Sequence, residues 1–227
     1  MSLVAHYQFE DVYTDDSGNS HTLTPVGPLP EGLPTFVDGP AGRALSLNGS
    51  NQYATTPNIY AIDVHTGITL AARLNADSTA IEQSIIHRDS FSRMTFGLQV
   101  LAEGRVEYLY YRAETGSFTR VRSNDSVIVA GQWQHLAVTQ SGNSVAIYLD
   151  GVAIGWFLHD GSLDSTNRKR SNRDTYIGSR SGGSRFFNGS LDEVGLYDHA
   201  MTAQEIAALA SDDPDALPLA QHHGAAA

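Results

Sequence analysis

The chemically most distinctive side chains in this sequence form an arginine-rich segment at positions 167–173. Four of the chain's 14 lysine and arginine residues lie within six positions there: Arg168, Lys169, Arg170 and Arg173. The chain as a whole carries a formal net charge of −11, so this segment interrupts an acidic protein. Guanidinium groups bind oxyanions through paired hydrogen bonds. With Arg180, the segment predicts a cradle for the carboxylate or sulfate groups of an acidic polysaccharide.

Arg185, like Arg180, is nearby in sequence, and Arg112, Arg120 and Arg122 could join the cradle from a neighbouring edge. The alternative interpretation is a solvated surface loop that interacts with the protein's own acidic groups. Both interpretations stay open at the level of sequence.

Sugar ligands require a second kind of chemistry. An aromatic ring stacks on the apolar face of a sugar, and polar side chains bind its hydroxyl groups. Three segments offer this combination: Tyr108, Tyr110 and Tyr111 on a predicted hairpin, His87 and Arg88 on a neighbouring strand, and Trp156 and Phe157 beyond a second hairpin. For each tyrosine, burial in the core explains the same pattern equally well.

A pair of carboxylates able to hydrolyse a glycosidic bond is not evident. Such hydrolysis needs two carboxyl groups about 5 to 10 Å apart across the scissile bond. Successive residues of a strand point to opposite faces, so the adjacent pairs Glu10–Asp11 and Asp192–Glu193 are expected to point apart. The nine histidines show no zinc-binding spacing, and the chain has no cysteine. The sequence therefore predicts no catalytic residue and a protein that is not an enzyme.

Composition excludes other classes of protein. The excess of 25 acidic over 14 basic residues argues against general binding to nucleic acid, which depends on lysine and arginine contacts to phosphate. No apolar run approaches the roughly eighteen residues of a membrane span, so membrane insertion is not expected. The first residues contain neither a basic stretch nor a long apolar stretch, so no export signal is visible.

The elements that must position these side chains are predicted to be almost all β-strands. Short alternating apolar stretches recur between Gly, Asn, Asp and Ser, a pattern typical of a sandwich or barrel. An Asp-Gly turn at 150–151 predicts a hairpin within 144–155, and a second hairpin is predicted over 98–112. Thr202 and Glu205 form a capping box, which predicts one short helix after the last strand.

Four motifs, in this order, resemble the laminin-G-like, concanavalin A-like lectin and glucanase family. They are the opening strand and loop (3–10 and 16–19), the second strand and its turn (42–49 and 53), a strand pair (131–139 and 145–151), and the final strands (176–178, 187–194 and 196–197). Together they cover residues 3–210. The resemblance implies an all-β jelly-roll sandwich of two antiparallel sheets with one short C-terminal helix.

The resemblance also implies a structural calcium ion. In relatives, an ion commonly ties the end of the first strand to the loop before the second strand and to the last strand. Carried over by position, the ligands are Glu10, a backbone carbonyl of Gly42 or Arg43, and Asp192. Further candidates are Asp11, Asp16 and Asn48. Carboxylates and carbonyls are the oxygen ligands that calcium prefers; the alternative is that Glu10 and Asp192 are ordinary edge charges or capping groups.

Relatives with this fold bind glycans, bind proteins or cleave polysaccharides. The Glu-x-Asp-x-(x)-Glu pattern of laminarinase-like relatives is missing here. The leading hypothesis is a non-catalytic glycan-binding module with calcium, located outside the cell or on its surface within a larger secreted protein. The alternatives are an adhesion module that binds a cell-surface protein and a polysaccharide-degrading enzyme with an atypical site. We expect one domain over 1–211 and a flexible tail over 212–227.

Overall fold

The computed structural model describes residues 2–28, 32–57, 59, 67–88, 95–112, 115–163 and 173–211. In chain order, their strands are β1 (Leu3–Tyr7), β2 (Thr24–Val26), β3 (Thr35–Gly39), β4 (Gly42–Asn48), β5 (Tyr53–Thr56), β6 (Ile68–Ala76), β7 (Gln83–Arg88), β8 (Phe96–Val100), β9 (Val106–Tyr111), β10 (Phe118–Ser123), β11 (Gln134–Ser141), β12 (Ser144–Leu149), β13 (Val152–Ile154), β14 (Trp156–Asp160), β15 (Thr175–Ile177) and β16 (Asn188–Tyr197). A 3-10 turn (Ala102–Gly104) and one α-helix, α1 (Ala203–Ala210), complete the described elements. No helix in these ranges is long and apolar enough to cross a membrane.

The strands form two eight-stranded antiparallel sheets that face each other as a sandwich, which confirms the predicted fold. Sheet A has the order β13-β12-β11-β6-β16-β4-β3, and β1 also pairs with β16. Sheet B has the order β14-β10-β9-β8-β7-β15-β5-β2. Because the last strand, β16, lies between β6 and β4 and also pairs with the first strand, both ends of the described fold meet within sheet A.

Every second side chain along the strands points into the space between the sheets and fills it. On β6, Leu70 and Leu74 point into the core, and on β9 Val106, Tyr108 and Tyr110 do the same. Residues between them point to the opposite, outer face of their sheet, since side chains alternate along a strand. This alternation gives each sheet a core face and an outer face.

The outer face of sheet A is covered in part by α1. Thr202 and Glu205 form the predicted capping box, in which each side chain satisfies a backbone N–H of the other residue. Ile206 packs with Ala71 and Tyr148 on the sheet. At the other end of the helix, Arg73 donates to the carbonyl oxygens of Ala210 and of the C-cap Ser211, where a positive charge is favourable.

A β-bulge in β16 overturns one expectation from the sequence. The register slips between Asp192 and Gly195, and Glu193 has a φ of 49°, in the left-handed region. Asp192 lies opposite Arg73 on the outer face of sheet A, and Glu193 reaches His6 on the same face at 2.7 Å. The prediction that these two carboxylates point apart is therefore wrong, because the extra residue of the bulge resets the alternation.

Candidate functional site

The three segments predicted to hold a cation do meet at one edge of sheet A. Glu10 follows β1, and its Oε1 accepts a hydrogen bond from the backbone N–H of Arg43 at 3.0 Å. The carboxylate lies directly against Gly42, because a Cβ added there would be 2.0 Å from Glu10 Oε1. Asp192 approaches the same hairpin, with its Oδ2 3.0 Å from the position that a Cβ of Gly39 would occupy.

The carboxylate of Asp192 is the least satisfied acidic group of this cluster. Asp192 is completely buried, and its Oδ2 has no hydrogen-bond partner among the described residues. Burial, and then the negative charge of Glu193, raise the pKa of Asp192 to about 7, against hydrogen bonds from the backbone of Glu193 and Ala41. A buried carboxylate oxygen without a donor is costly unless a positive charge compensates it.

These residues fit a hard cation with oxygen ligands, although the carboxylates alone do not make a complete site. No group of three or more His, Cys, Asp or Glu side chains able to hold a metal occurs within the described ranges. Asp11 does not join Glu10 and Asp192; it is largely exposed and pairs with Arg43 Nε at 3.1 Å. A cation here would take Asp192 and Glu10 together with backbone carbonyls of the 39–42 hairpin, as calcium sites often do.

A second candidate site is the outer face of sheet B, which lies on the far side of that sheet from the core. Gln99, Glu107 and Arg122 are direct cross-strand neighbours on β8, β9 and β10. They alternate with core residues, so all three point outwards. Phe157 on β14 extends the same row beyond Arg122.

A continuous hydrogen-bond network crosses this face. Gln99 Nε2 donates to Glu107 Oε1 at 2.6 Å, and Arg122 Nε donates to Glu107 Oε2 at 2.6 Å. Gln99 Oε1 accepts from Arg185 Nη1 at 2.7 Å and lies 3.2 Å from His87 Nε2, which must therefore carry the proton. Gln99 and His87 are fully buried and Glu107 is 2% exposed, so the network is shielded from water.

Four arginines surround the network. Arg185 also pairs with Glu82 at 2.6 Å, and Arg120 pairs with Asp160 at 2.8 Å. Burial lowers the pKa of Arg185, and the positive charges of Arg180 and Arg120 lower it further, while Glu82 opposes this shift. The sequence analysis already considered all four arginines, Arg120, Arg122, Arg180 and Arg185, as parts of an anion cradle. The fold brings them onto one face.

Burial keeps His87 neutral. Burial and, less strongly, the charge of Arg180 lower the pKa of His87 to about 3. Its ring lies over Gly97, where an added Cβ would be 2.4 Å from the imidazole. His87 is therefore part of the floor beneath the arginines and does not reach the surface.

Aromatic rings flank the arginines on both sides. Phe157 is 39% exposed beside Arg122. Tyr111 and Phe118 meet edge to face at 5.0 Å, with the Arg120 guanidinium 5.2 Å from the Phe118 ring centre. Towards the other edge of the sheet, a half-buried cluster consists of Tyr53, Tyr176 and Phe186.

Several residues predicted to contact a ligand lie elsewhere. Tyr108 and Tyr110 are completely buried between the sheets, so neither can be an exposed stacking platform. Arg88 is 3% exposed and donates to the carbonyl of Ile59 at 2.7 Å. Trp156 is half-buried against the core, and its neighbour Phe157 takes the outward position.

The arginine-rich segment is only partly described. Arg168 and Arg170 lie outside the described residues, while Arg173 is exposed just before β15. Arg180 belongs to the loop after β15, where a bridge to Ser184 closes a tight turn. Of the predicted cradle, the structure thus places Arg180 beside the outer face of sheet B.

The carboxylates described on this face are paired with arginines. Glu107, Glu82 and Asp160 are each paired with an arginine, at 2.6 to 2.8 Å. Each of these carboxylates is thus engaged by a guanidinium group of the protein itself. Sequence reasoning missed Gln99 and Glu107, although side-chain alternation over 105–112 puts Glu107 on the face of β9 opposite Tyr108 and Tyr110.

Comparisons with known proteins agree with this architecture. A family model described as the concanavalin A-like lectin/glucanases superfamily matches residues 48–207. Domain 4 of AbnA, a GH43 extracellular arabinanase from Geobacillus stearothermophilus solved with arabinotriose, superposes with a TM-score of 0.70 at 19% identity, covering 92% of this chain and 98% of that one. No curated protein matches the chain.

Toxin binding domains show the same fold. The botulinum neurotoxin DC binding domain in complex with SialylT has a TM-score of 0.68 at 11% identity, covering 92% of this chain and 51% of that one. The binding domain of Paraclostridial Mosquitocidal Protein 1 gives 0.68 at 14% identity, with 92% and 52% coverage. The chain thus spans about half the length of these toxin domains.

Proposed function

This chain belongs to the concanavalin A-like lectin/glucanase superfamily, and we propose that it is a non-catalytic, extracellular glycan-binding module whose ligand site is the outer face of sheet B. The observation that carries this proposal is the arginine and aromatic surface of that face, built on the buried network of Gln99 and Glu107. Sugar sites combine such rings with fixed polar groups. The arabinotriose and SialylT complexes of similar folds support the same class of ligand.

We further propose that the ligand is an acidic polysaccharide. Four arginines, Arg120, Arg122, Arg180 and Arg185, lie together on this face of a protein whose net charge is −11. A surface that gathers guanidinium groups selects carboxylates or sulfates. Arg168, Arg170 and Arg173 would extend this selection.

Calcium has a structural role in this proposal. Asp192 and Glu10 would hold the ion with carbonyls of the 39–42 hairpin, and the ion would neutralise the buried carboxylate. Because β1, the β3–β4 hairpin and β16 all contribute, the ion would tie both ends of the fold together. The site is separate from the ligand face, since the two sites lie on different sheets.

A glycan array that includes neutral, uronic and sulfated polymers, probed with and without calcium, tests the proposal. We expect binding to at least one acidic polymer, and weaker binding after Arg122 is replaced with Gln. No binding to any glycan in the presence of calcium would refute the function and favour the protein-binding alternative. Release of reducing sugars or unsaturated uronates from a bound polymer would refute the non-catalytic assignment.

A further inference from the structure

The hydrogen bonds of the network beneath the outer face of sheet B all run from donors towards Glu107. Arg185 and His87 donate to the oxygen of Gln99, and the nitrogen of Gln99 donates to Glu107. Arg122 donates to the other oxygen of Glu107. Every donor in this hydrogen-bond network therefore leads to Glu107, whose two carboxylate oxygens accept from Gln99 and Arg122.

This arrangement buries a charge in order to hold two guanidinium groups. Glu107 is 2% exposed, whereas the side chains of Arg122 and Arg185 are 26% and 27% exposed. A buried ion pair of this kind contributes little net stability, because desolvation offsets the attraction. The main effect of the network is geometric. Glu107 holds the guanidinium group of Arg122 directly and that of Arg185 through Gln99.

Arg122 has donors left for a further partner, and Arg185, which already contacts Gln99 and Glu82, is held in a strained position. Arg122 uses only Nε in the described contacts, so its two terminal nitrogens have no protein acceptor there. Arg185 has a φ of 52°, a left-handed conformation that costs about 1 kcal/mol or more for a residue other than glycine. It also lies near the like charges of Arg180 and Arg120. Strain and like-charge crowding at one surface are typical of a binding site.

We infer that Arg122 and Arg185 form an oxyanion subsite for a sulfate ester or carboxylate of a polysaccharide, and that the buried Gln99–Glu107 pair is its positioning device. Phe157 lies beside Arg122 and offers an apolar surface to the attached sugar. This inference rests on the proposed function and specifies the ligand group and the residues that select it.

The positioning role can be separated from a simple charge effect, because the two predict opposite outcomes for Glu107→Gln. Loss of this carboxylate makes the face more positive, so attraction by charge alone would strengthen binding to heparin, a sulfated polymer, or polygalacturonate, a carboxylated one. If Glu107 positions the arginines, the glutamine side chain presents an NH2 donor to one of the two donors, Gln99 Nε2 or Arg122 Nε, that Glu107 accepts from. We then expect about tenfold weaker binding, the scale of one charge-assisted hydrogen bond.

Surface variants keep the test valid if Glu107→Gln fails to fold. Arg122→Lys keeps the charge and loses the Nε donor, so we expect about tenfold weaker binding to the preferred acidic polymer. Arg122→Gln and Arg185→Gln should weaken it at least as much. Arg105→Gln is the matched control, because Arg105 contacts the carbonyl of Ser123 outside the network and should leave binding unchanged.

The outcomes separate this inference from the function on which it rests. Unchanged or tighter binding by Glu107→Gln and Arg122→Lys would overturn the positioning role. Parent protein that binds neutral dextran or another neutral glycan but neither acidic polymer would overturn the subsite and leave the glycan-binding function standing. Absence of binding to every glycan would overturn both. Preference of the parent for heparin or for polygalacturonate identifies the oxyanion as sulfate or carboxylate.

Discussion

Replacing Asp192 with Asn should remove a pH dependence that we expect in the stability of the cation-free protein. The folded environment raises the pKa of Asp192 from 3.8 to about 7. The folded protein therefore holds this proton more tightly than the unfolded chain does. The resulting destabilisation is absent below about pH 4, grows between pH 4 and 7, and is complete above pH 7.

The size of the effect follows from the shift. A difference of about three pKa units means that the ionised carboxylate of Asp192 destabilises the folded protein by roughly 4 kcal/mol at pH 8. This figure is an upper limit, because water and small movements relax the site. Asparagine has nearly the same shape and no charge. In a chelator at pH 8, Asp192→Asn should thus be more stable than the parent by as much as a few kcal/mol, and the two should converge near pH 4.

Urea unfolding at several pH values between 4 and 8, in chelator and in calcium, measures both parts of this prediction. At pH 8, calcium at a hundred times its dissociation constant should stabilise the parent by about 2.7 kcal/mol and should not stabilise the variant. Asp11→Asn is the control, because Asp11 is exposed and its surface pair with Arg43 should have little effect on stability.

Two results would refute the reasoning at different points. Equal pH dependence of parent and Asp192→Asn in chelator would show that the carboxylate does not titrate abnormally. A free energy of unfolding that is unchanged by calcium at pH 8 would show that no ion compensates Asp192. The first result contradicts the electrostatics of the bulge, and the second contradicts the proposed cation site.

Two further predictions concern the same sheets. Gly42→Ala places a Cβ 2.0 Å from the carboxylate of Glu10, at a φ of +114°. Thermal melts should therefore show a loss of about 1 to 3 kcal/mol in stability and no stabilisation by calcium. Gly131 also has a positive φ, but nothing lies near the Cβ that Gly131→Ala adds, so this variant should lose only about 1 kcal/mol of stability. Equal losses in the two variants would argue against the contact between residue 42 and Glu10. Tyr108→Phe breaks a 2.7 Å buried hydrogen bond to Gln140 and should cost about 1 kcal/mol, whereas Tyr110→Phe removes a buried hydroxyl that has no partner in the described structure and should be neutral or stabilising. Chemical denaturation of both tyrosine variants checks this difference, and a larger loss for Tyr110→Phe would contradict it.

Local patterns in the sequence predicted the parts of the fold that depend on neighbouring residues. The turn at 150–151, the hairpin over 98–112 and the helix cap at Thr202 all form as expected, because each depends on short-range geometry. The segment after β1, the start of β4 and the bulge within β16 meet as the family resemblance implied. The bulge at Glu193 could not be predicted, since the register slip is set by pairing with strands far away in the sequence.

The ligand face was harder to predict because alternation does not say which face of a strand is covered. The pattern over 105–112 separated Tyr108 and Tyr110 from Glu107 and Tyr111, and both faces carried large side chains. Only the position of sheet A shows that the two tyrosines face the core. Gln99 stood out in no motif, because its role comes from lying directly opposite Glu107 on the adjacent strand.

The net charge of −11 does not exclude an acidic ligand, because charge acts over a limited distance. At physiological salt the Debye length is about 8 Å, so most of the acidic surface is screened from a polymer on the outer face of sheet B. Binding must then depend on short contacts made by guanidinium groups already in place. A loosely held arginine would contribute a weak, screened attraction, whereas Arg122 fixed by Glu107 presents its donors in a defined geometry. In an acidic protein, a buried carboxylate can therefore strengthen the recognition of an anion, provided that it determines where the cations lie.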